Sequence, residues 1–92
     1  MTTKCKRKEI NVKILTKDMI LKNLSKNLKR CHASHTFGCE YIAEYCGMTQ
    51  PQVCNYENGK TMPSAYALYQ LARFWGVTTD WLLGIEKEKP IE

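Results

Sequence analysis

Hydrophobic residues recur along this chain at intervals of three and four, the spacing of helices that bury one face. Capping and turn residues separate these periodic segments, so the sequence predicts an all-α fold of five helices. The predicted helices run from Thr16 to about His32, near Cys39 to Cys46, near Gln50 to Glu57, after Ser64, and from Thr78 or Thr79. Their predicted buried faces contain Ile20, Leu21, Leu24 and Leu28; Ile42, Ala43 and Cys46; Val53 and Tyr56; Leu68, Leu71, Ala72 and Trp75; and Trp81, Leu82 and Leu83.

The chain before the first helix has a different pattern. Ile10, Val12 and Ile14 alternate with polar residues, which favours a short strand that would pair between two protomers. Ile10 and Ile14 also fit one turn of helix, so that alternative stays open. The predicted units are an N-terminal arm (1–18), a helical domain (19–85) and a charged C-terminal tail (86–92).

The segment from Ile42 to Pro63 predicts two short helices joined by a tight turn. Gly47 lies where the chain must turn sharply, and a residue without Cβ does this at little steric cost. Thr49 follows as an N-cap, with Pro51 in the first turn, where proline loses no hydrogen bond. This is the layout of a helix that presents its N-terminal end to a DNA major groove.

With these residues the chain resembles the lambda-repressor-like family of helix-turn-helix proteins, also called Cro-type or XRE, from Leu24 to Gly84. The residues that carry the resemblance are Ile42-Ala43, Gly47, Tyr56-Glu57-Asn58-Gly59-Lys60, Pro63, Leu71-Ala72 and Gly76-Val77-Thr78-Thr79-Asp80-Trp81-Leu82-Leu83. The resemblance implies a compact five-helix domain and a sequence-specific transcriptional regulator that binds double-stranded DNA. It further implies a repressor of phage, mobile-element or bacterial type, acting as a homodimer on a pseudo-palindromic operator.

The resemblance assigns base reading to the first exposed residues of the third helix. These residues are Gln50, Pro51, Gln52 and Asn55. Glutamine and asparagine amides can bond bidentately to adenine in the major groove, and the proline ring could pack against a thymine methyl. For Gln50 and Asn55 the alternative is that they are ordinary solvated helix residues. Because this helix contains no Arg or Lys, strong guanine readout is not expected from it.

Phosphate contacts are expected from positions that match the family's backbone-binding residues. These positions are Cys39, Lys60, Thr61 and Ser64. Cys39 stands where relatives often have glutamine, and the change removes an amide contact. Backbone N–H groups and the helix dipole can still hold a phosphate there. A helix N-terminus can also lower the pKa of a cysteine thiol.

The resemblance also implies a structural ion pair. Many relatives pair the carboxylate at the position of Glu57 with an arginine of the first helix, and the corresponding residue here is His32. A His32–Glu57 pair is therefore expected, with Arg30 as the alternative source of charge.

Charge is unevenly distributed along the chain. Residues 1–35 contain ten Lys or Arg and two acids, a net charge of +8, whereas residues 36–92 contain four Lys or Arg and seven acids, a net charge of −3. A basic arm attracts phosphate by releasing counterions, a force that is sequence-blind and salt-sensitive. We expect the arm to contact DNA; lysines that only solubilise a mobile tail are the alternative.

Length and composition limit the number of domains, the cellular compartment and the classes of function that we expect. The 92 residues fit one small domain, and the charge-free runs are too short and too polar to span a membrane. Five cysteines without a secretion signal favour reduced thiols in the cytoplasm. No nucleophile-base-carboxylate arrangement or phosphate-binding glycine loop is recognisable, so no enzyme activity, cofactor or small-molecule ligand is expected.

Cysteine and histidine crowd together within nine residues, at Cys31, His32, His35 and Cys39. Thiolates and imidazoles suit zinc. The segment nevertheless crosses a helix end and lacks paired CxxC spacing, so ordinary packing is favoured and no metal is expected.

The homodimer surface is expected on the fourth and fifth helices, which carry more apolar residues than a monomer needs. These residues are Tyr66, Tyr69, Phe74, Trp75, Ile85 and Ile91. The competing hypothesis is a protein-interaction adaptor or antitoxin-like module with little specific DNA binding. This hypothesis rests on the net negative charge of the helix-turn-helix segment, on Cys39 in place of an amide residue, and on Pro51 in the third helix.

Overall fold

The computed structural model describes residues 14–86, which form five helices. They are α1 (Lys17–Ala33), α2 (Cys39–Cys46), α3 (Gln50–Glu57), α4 (Ala65–Trp75) and α5 (Thr79–Leu83). No strand occurs within the described residues, and the all-α prediction is confirmed. The proposed strand at 10–14 lies outside the described residues except for its last residue. None of the helices between residues 14 and 86 is long and apolar enough to cross a bilayer.

The helices begin where side-chain oxygens replace missing backbone acceptors. Thr16 Oγ1 accepts a hydrogen bond from the Met19 N–H at 3.2 Å, and Ser64 Oγ accepts one from the Ala67 N–H at 3.1 Å. Thr78, rather than Thr79, caps α5. These caps satisfy N–H groups that have no partner inside the helix.

The core lies among the five helices. α1 packs against α3 and α5, α2 packs against α3 and α4, and α4 packs against α5. The largest fully buried side chains are Trp81, Leu24, Leu28, Ile42, Leu71, Leu82, Val53 and Cys31. Five predicted core residues are only half-buried: Ile20, Leu21, Leu68, Trp75 and Leu83. The buried face of α1 is rotated toward Asn27 and Cys31 instead.

Two asparagines of α1 hold the C-terminal end of α5. Asn27 Nδ2 donates to the carbonyl oxygens of Trp81 at 2.7 Å and Leu82 at 3.3 Å, and Asn23 Nδ2 donates to that of Leu83 at 3.1 Å. The last carbonyls of a helix lack partners within it, and a helix of five residues is not stable alone. α1 therefore supplies both the packing surface and the hydrogen bonds that α5 needs.

Candidate nucleic-acid interface

A left-handed glycine turns the chain between α2 and α3. Gly47 has φ +70°, a conformation that L-residues with a Cβ rarely adopt. The Met48 N–H donates to the Ala43 carbonyl oxygen at 2.8 Å, which closes the end of α2. The turn packs the two helices against each other and leaves the start of α3 at the surface.

The start of α3 is fixed by a capping box. Thr49 Oγ1 accepts a hydrogen bond from the Gln52 N–H at 3.3 Å, and Gln52 Oε1 accepts one from the Thr49 N–H at 2.9 Å. The sequence interpretation gave Gln52 only a base-reading role and missed this one. A threonine followed three residues later by glutamine was the available signal.

The other predicted base readers are accessible to different extents. Gln50 and Pro51 are exposed in the first turn, whereas Asn55, in the second turn, is half-buried. The next residues on the helix turn inward, with Val53 and Tyr56 in the core. Glu57 is the only charged residue of α3. The accessible part of the helix therefore presents amides and a proline ring without formal charge.

The predicted phosphate-binding residues divide into two groups. Lys60, Thr61 and Ser64 are exposed and follow α3, although the Ser64 hydroxyl is already engaged as the cap of α4. Cys39 is the first residue of α2 and is half-buried. Gly38 before it offers no side-chain cap, so the N–H groups of the first turn of α2 depend on other acceptors.

The helix N-terminus does not lower the thiol pKa of Cys39, which is raised instead. Burial, a hydrogen bond with Cys54 and the negative charge of Glu57 together raise the pKa of the Cys39 thiol to about 12. Loss of hydration and a neighbouring carboxylate both disfavour a thiolate, and they outweigh the helix N-terminus.

His32 and Glu57 lie in direct contact. His32 Nδ1 is 2.9 Å from Glu57 Oε2, and the two side chains are 19% and 13% exposed. His32 Nε2 is 2.7 Å from the Phe37 carbonyl oxygen. Both neighbours are acceptors, so only the doubly protonated ring can donate to both at once. Arg30, the alternative partner, instead places its guanidinium 5.4 Å from the centre of the Trp81 ring.

A shallow basic groove runs along α1 next to the end of α3. The basic side chains that line it are Lys22, Lys26, Lys29 and Arg30. Asn58 and Gly59 form part of the same groove and directly precede Lys60. Positive charge that α3 lacks is therefore present on its neighbouring helix.

Comparison with known proteins shows what part of this chain is similar to. A family model described as helix-turn-helix matches residues 40–82. An SPbeta prophage-derived uncharacterized HTH-type transcriptional regulator, YonR of Bacillus subtilis, is 36% identical over 56 residues, which are 61% of this chain and 52% of that protein. The chain thus matches about half the length of this relative. Residues 40–82 are thus similar in sequence to helix-turn-helix proteins.

A solved structure has the same fold as this chain. The solution structure of the SOS-response transcriptional repressor LexA from Eubacterium rectale matches with a TM-score of 0.71 and covers 85% of this chain and 87% of that chain. The two sequences are 22% identical. At that identity the likeness establishes the shared arrangement of helices and nothing about ligands.

The surface outside α3 is rich in exposed tyrosine. Tyr66, Tyr69 and Ile85 are more than half exposed. Phe74 and Trp75, also predicted for a dimer surface, pack partly against the core, and Ile91 lies outside the described residues. The sequence interpretation missed two further exposed tyrosines on α2, Tyr41 and Tyr45, which contact each other and Phe74.

Proposed function

We propose that this protein binds double-stranded DNA sequence-specifically and regulates transcription in the cytoplasm, as a homodimeric repressor on a pseudo-palindromic operator. The observation that carries the proposal is the first turn of α3, which is exposed, uncharged and held in place by its own capping box. A preformed helix start costs little conformational entropy when it enters the major groove.

Gln50 is the principal base reader in this proposal. Its amide is exposed at the first helical position and can bond bidentately to adenine, and Pro51 beside it can contact a thymine methyl. Asn55 adds a second amide one turn further along. Gln52 has its Oε1 engaged in the cap, so it retains only its amide donors for DNA unless the capping box opens.

Phosphate binding in this proposal depends on residues around α3. Lys60 and Thr61 follow the helix directly, and the uncapped first turn of α2 at Cys39 offers backbone N–H groups to a phosphate oxygen. The lysines of α1 extend the positive surface beyond them. These contacts supply affinity without sequence preference, and their strength falls as salt rises.

The homodimer is supported by the exposed apolar residues of the last two helices. Tyr66 and Tyr69 on α4 are stacked with their ring centres 6.2 Å apart, and Ile85 follows α5. Exposed aromatic residues of this kind are enriched at protein interfaces.

Selection of bound sequences from a random duplex pool tests the proposal. We expect an enriched two-fold motif with half-site centres about 10 bp apart. Gln50→Ala and Asn55→Ala should each change the preferred base at one position or more. The matched control Lys60→Ala should weaken binding to all sequences alike and reduce the salt slope by about 1. Absence of any enriched motif, with no binding at low salt, would overturn the proposal and favour the adaptor hypothesis.

A further inference from the structure

Side chains with metal-binding atoms meet where α1 ends, α2 begins and α3 ends. The ligand atoms of His32, Cys39 and Glu57 lie within 4.8 Å of one another, and between residues 14 and 86 they are the one such group of three or more. Cys54, one turn before Glu57 on α3, forms a hydrogen bond with Cys39. The cluster itself combines a thiol, an imidazole and a carboxylate drawn from three helices, and the thiol of Cys54 lies beside it through its contact with Cys39.

This cluster is not the one suggested by the sequence. Of the four residues in the Cys-His segment, Cys31 is buried in the core, and His35 stacks on Phe37 with ring centres 5.0 Å apart. In the folded chain, His32 and Cys39 of that segment lie close to two residues of α3, Cys54 and Glu57. Those two lie 15 or more positions further along the chain, so a local spacing rule could not find them.

The separations are close to those of a tetrahedral zinc site. Bonds of about 2.0–2.3 Å place tetrahedral ligand atoms about 3.3–3.8 Å apart. His32 Nδ1 and Glu57 Oε2, at 2.9 Å, would move apart by a few tenths of an ångström. The Cys39 sulfur, within 4.8 Å of both atoms, would approach them by at most about 1.5 Å. Rotations about side-chain bonds are sufficient for such shifts.

His32 already has the orientation of a metal ligand. Metal-bound histidines usually donate their second ring N–H to a carbonyl or carboxylate, which fixes the tautomer and the ring plane. Here Nε2 faces the Phe37 carbonyl oxygen at 2.7 Å. In the neutral tautomer with hydrogen on Nε2, this bond is kept and the lone pair of Nδ1 faces the Glu57 carboxylate.

We propose that His32, Cys39, Cys54 and Glu57 form a binding site for Zn²⁺, with Cys54 as the fourth ligand. Two sulfurs and one imidazole select zinc over magnesium or calcium, which prefer oxygen ligands. The side chains of His32 and Glu57 are partly exposed, which gives the ion a route in. The site lies at the end of α3 opposite Gln50, so an ion there would leave the first turn of α3 accessible.

Proton balance follows from the state of the ligands. Burial and the charge of Glu57 raise the pKa of Cys39, so its thiol is protonated in the metal-free protein. Because zinc binds thiolates, coordination by Cys39 and Cys54 releases the proton of each coordinating thiol into solvent. The negative charge that disfavours a thiolate without metal favours a cation once it is bound.

Cobalt titration of the full chain tests the proposal. Under a thiol-free reductant, Co²⁺ should produce the visible bands of a tetrahedral ion and the near-ultraviolet charge-transfer band of thiolate ligands, and one equivalent of Zn²⁺ should remove both. A wild-type protein without the charge-transfer band would overturn the site, whatever its DNA-binding activity.

Single substitutions assign the ligands. Cys39→Ser and Cys54→Ser should each lower the charge-transfer band by half or more and weaken Co²⁺ binding more than about tenfold, because even loss of second-shell partners costs that much. The matched controls His35→Gln and Cys5→Ser should leave the spectrum unchanged. An unchanged spectrum in Cys39→Ser would overturn the site, and an unchanged spectrum in Cys54→Ser would overturn the fourth ligand.

Thiol protection gives a readout that does not depend on variants. Zn²⁺ should slow alkylation of Cys39 and Cys54, measured residue by residue by mass spectrometry, while Cys5 reacts at an unchanged rate. Equal rates with and without Zn²⁺ at Cys39 would contradict the proposal even if the substituted proteins fail to fold.

Discussion

The two ends of α3 differ in their exposure to solvent and in their contacts with the rest of the domain. The N-terminal turn is exposed, and its hydrogen bonds are local, between Thr49 and Gln52. The C-terminal half is tied to α1: Val53 and Tyr56 are in the core, and the Ser25 hydroxyl donates to the Glu57 carbonyl oxygen. One short helix thus separates the residues offered to a ligand from the residues that fix its position.

This separation means that stability and recognition can be changed independently. An exposed residue at the start of α3 can vary with little cost to the fold, since surface substitutions usually change stability by less than about 0.5 kcal/mol. A residue at the C-terminal end of α3 cannot vary in this way, because it packs in the core or, as Glu57 does, contacts His32. The substitutions below test that contrast through the free energy of unfolding, in order of decreasing effect.

Val53→Ala should have the largest effect. Val53 is 1% exposed, and the deletion leaves a cavity between α3 and its neighbours. We expect a loss of about 2–3 kcal/mol, measured by urea denaturation. A loss below about 0.5 kcal/mol, the surface range, would mean that this end of α3 does not anchor the helix.

Removal of the ion pair should have the next largest effect. Glu57→Ala leaves His32 Nδ1 without its 2.9 Å acceptor, and we expect a loss of about 1.5–2 kcal/mol in the presence of a metal chelator. The converse variant His32→Arg should stabilise the domain, because arginine keeps a charged donor for the carboxylate. Unchanged or lower stability in His32→Arg would undercut the structural role of the pair.

Thr49→Ala should have the smallest effect of the three. It removes one half of the capping box, and we expect a loss of about 1 kcal/mol. The neighbouring control Gln50→Ala should change the unfolding free energy by less than about 0.5 kcal/mol. If Gln50→Ala destabilised the protein as much as Thr49→Ala, the first turn of α3 would not be free for recognition.

Local signals explain why the helices could be predicted so closely. Thr49 with Pro51 marks the start of α3 and Asn58-Gly59 marks its end, and the structure gives the same bounds, Gln50–Glu57. The same holds for α2 (Cys39–Cys46), which ends just before Gly47. Such boundaries depend on residues adjacent in sequence, so no tertiary information is needed to find them.

Contacts between distant residues explain what the sequence could not reveal. Asparagine is a residue type usually found at the surface. Asn27 is nevertheless buried, because its side chain donates hydrogen bonds to carbonyl groups 54 and 55 positions further along the chain. The proximity of Cys54 to Cys39 likewise arises from the packing of α2 on α3. The roles predicted for Gln50, Pro51, Asn55, Lys60 and Thr61 stay predictions until DNA binding is measured.

The hydrogen bonds from α1 to α5 have a consequence for synthesis of the chain. Asn27 and Leu24 emerge early from the ribosome, but the carbonyl groups and the Trp81 side chain that complete their surroundings are made some 54 residues later. Contacts this distant in sequence form only after both segments are outside the exit tunnel. The apolar face of α1 therefore stays exposed to solvent until α5 has been synthesised, and the domain can complete its folding only when nearly all of its residues have been translated.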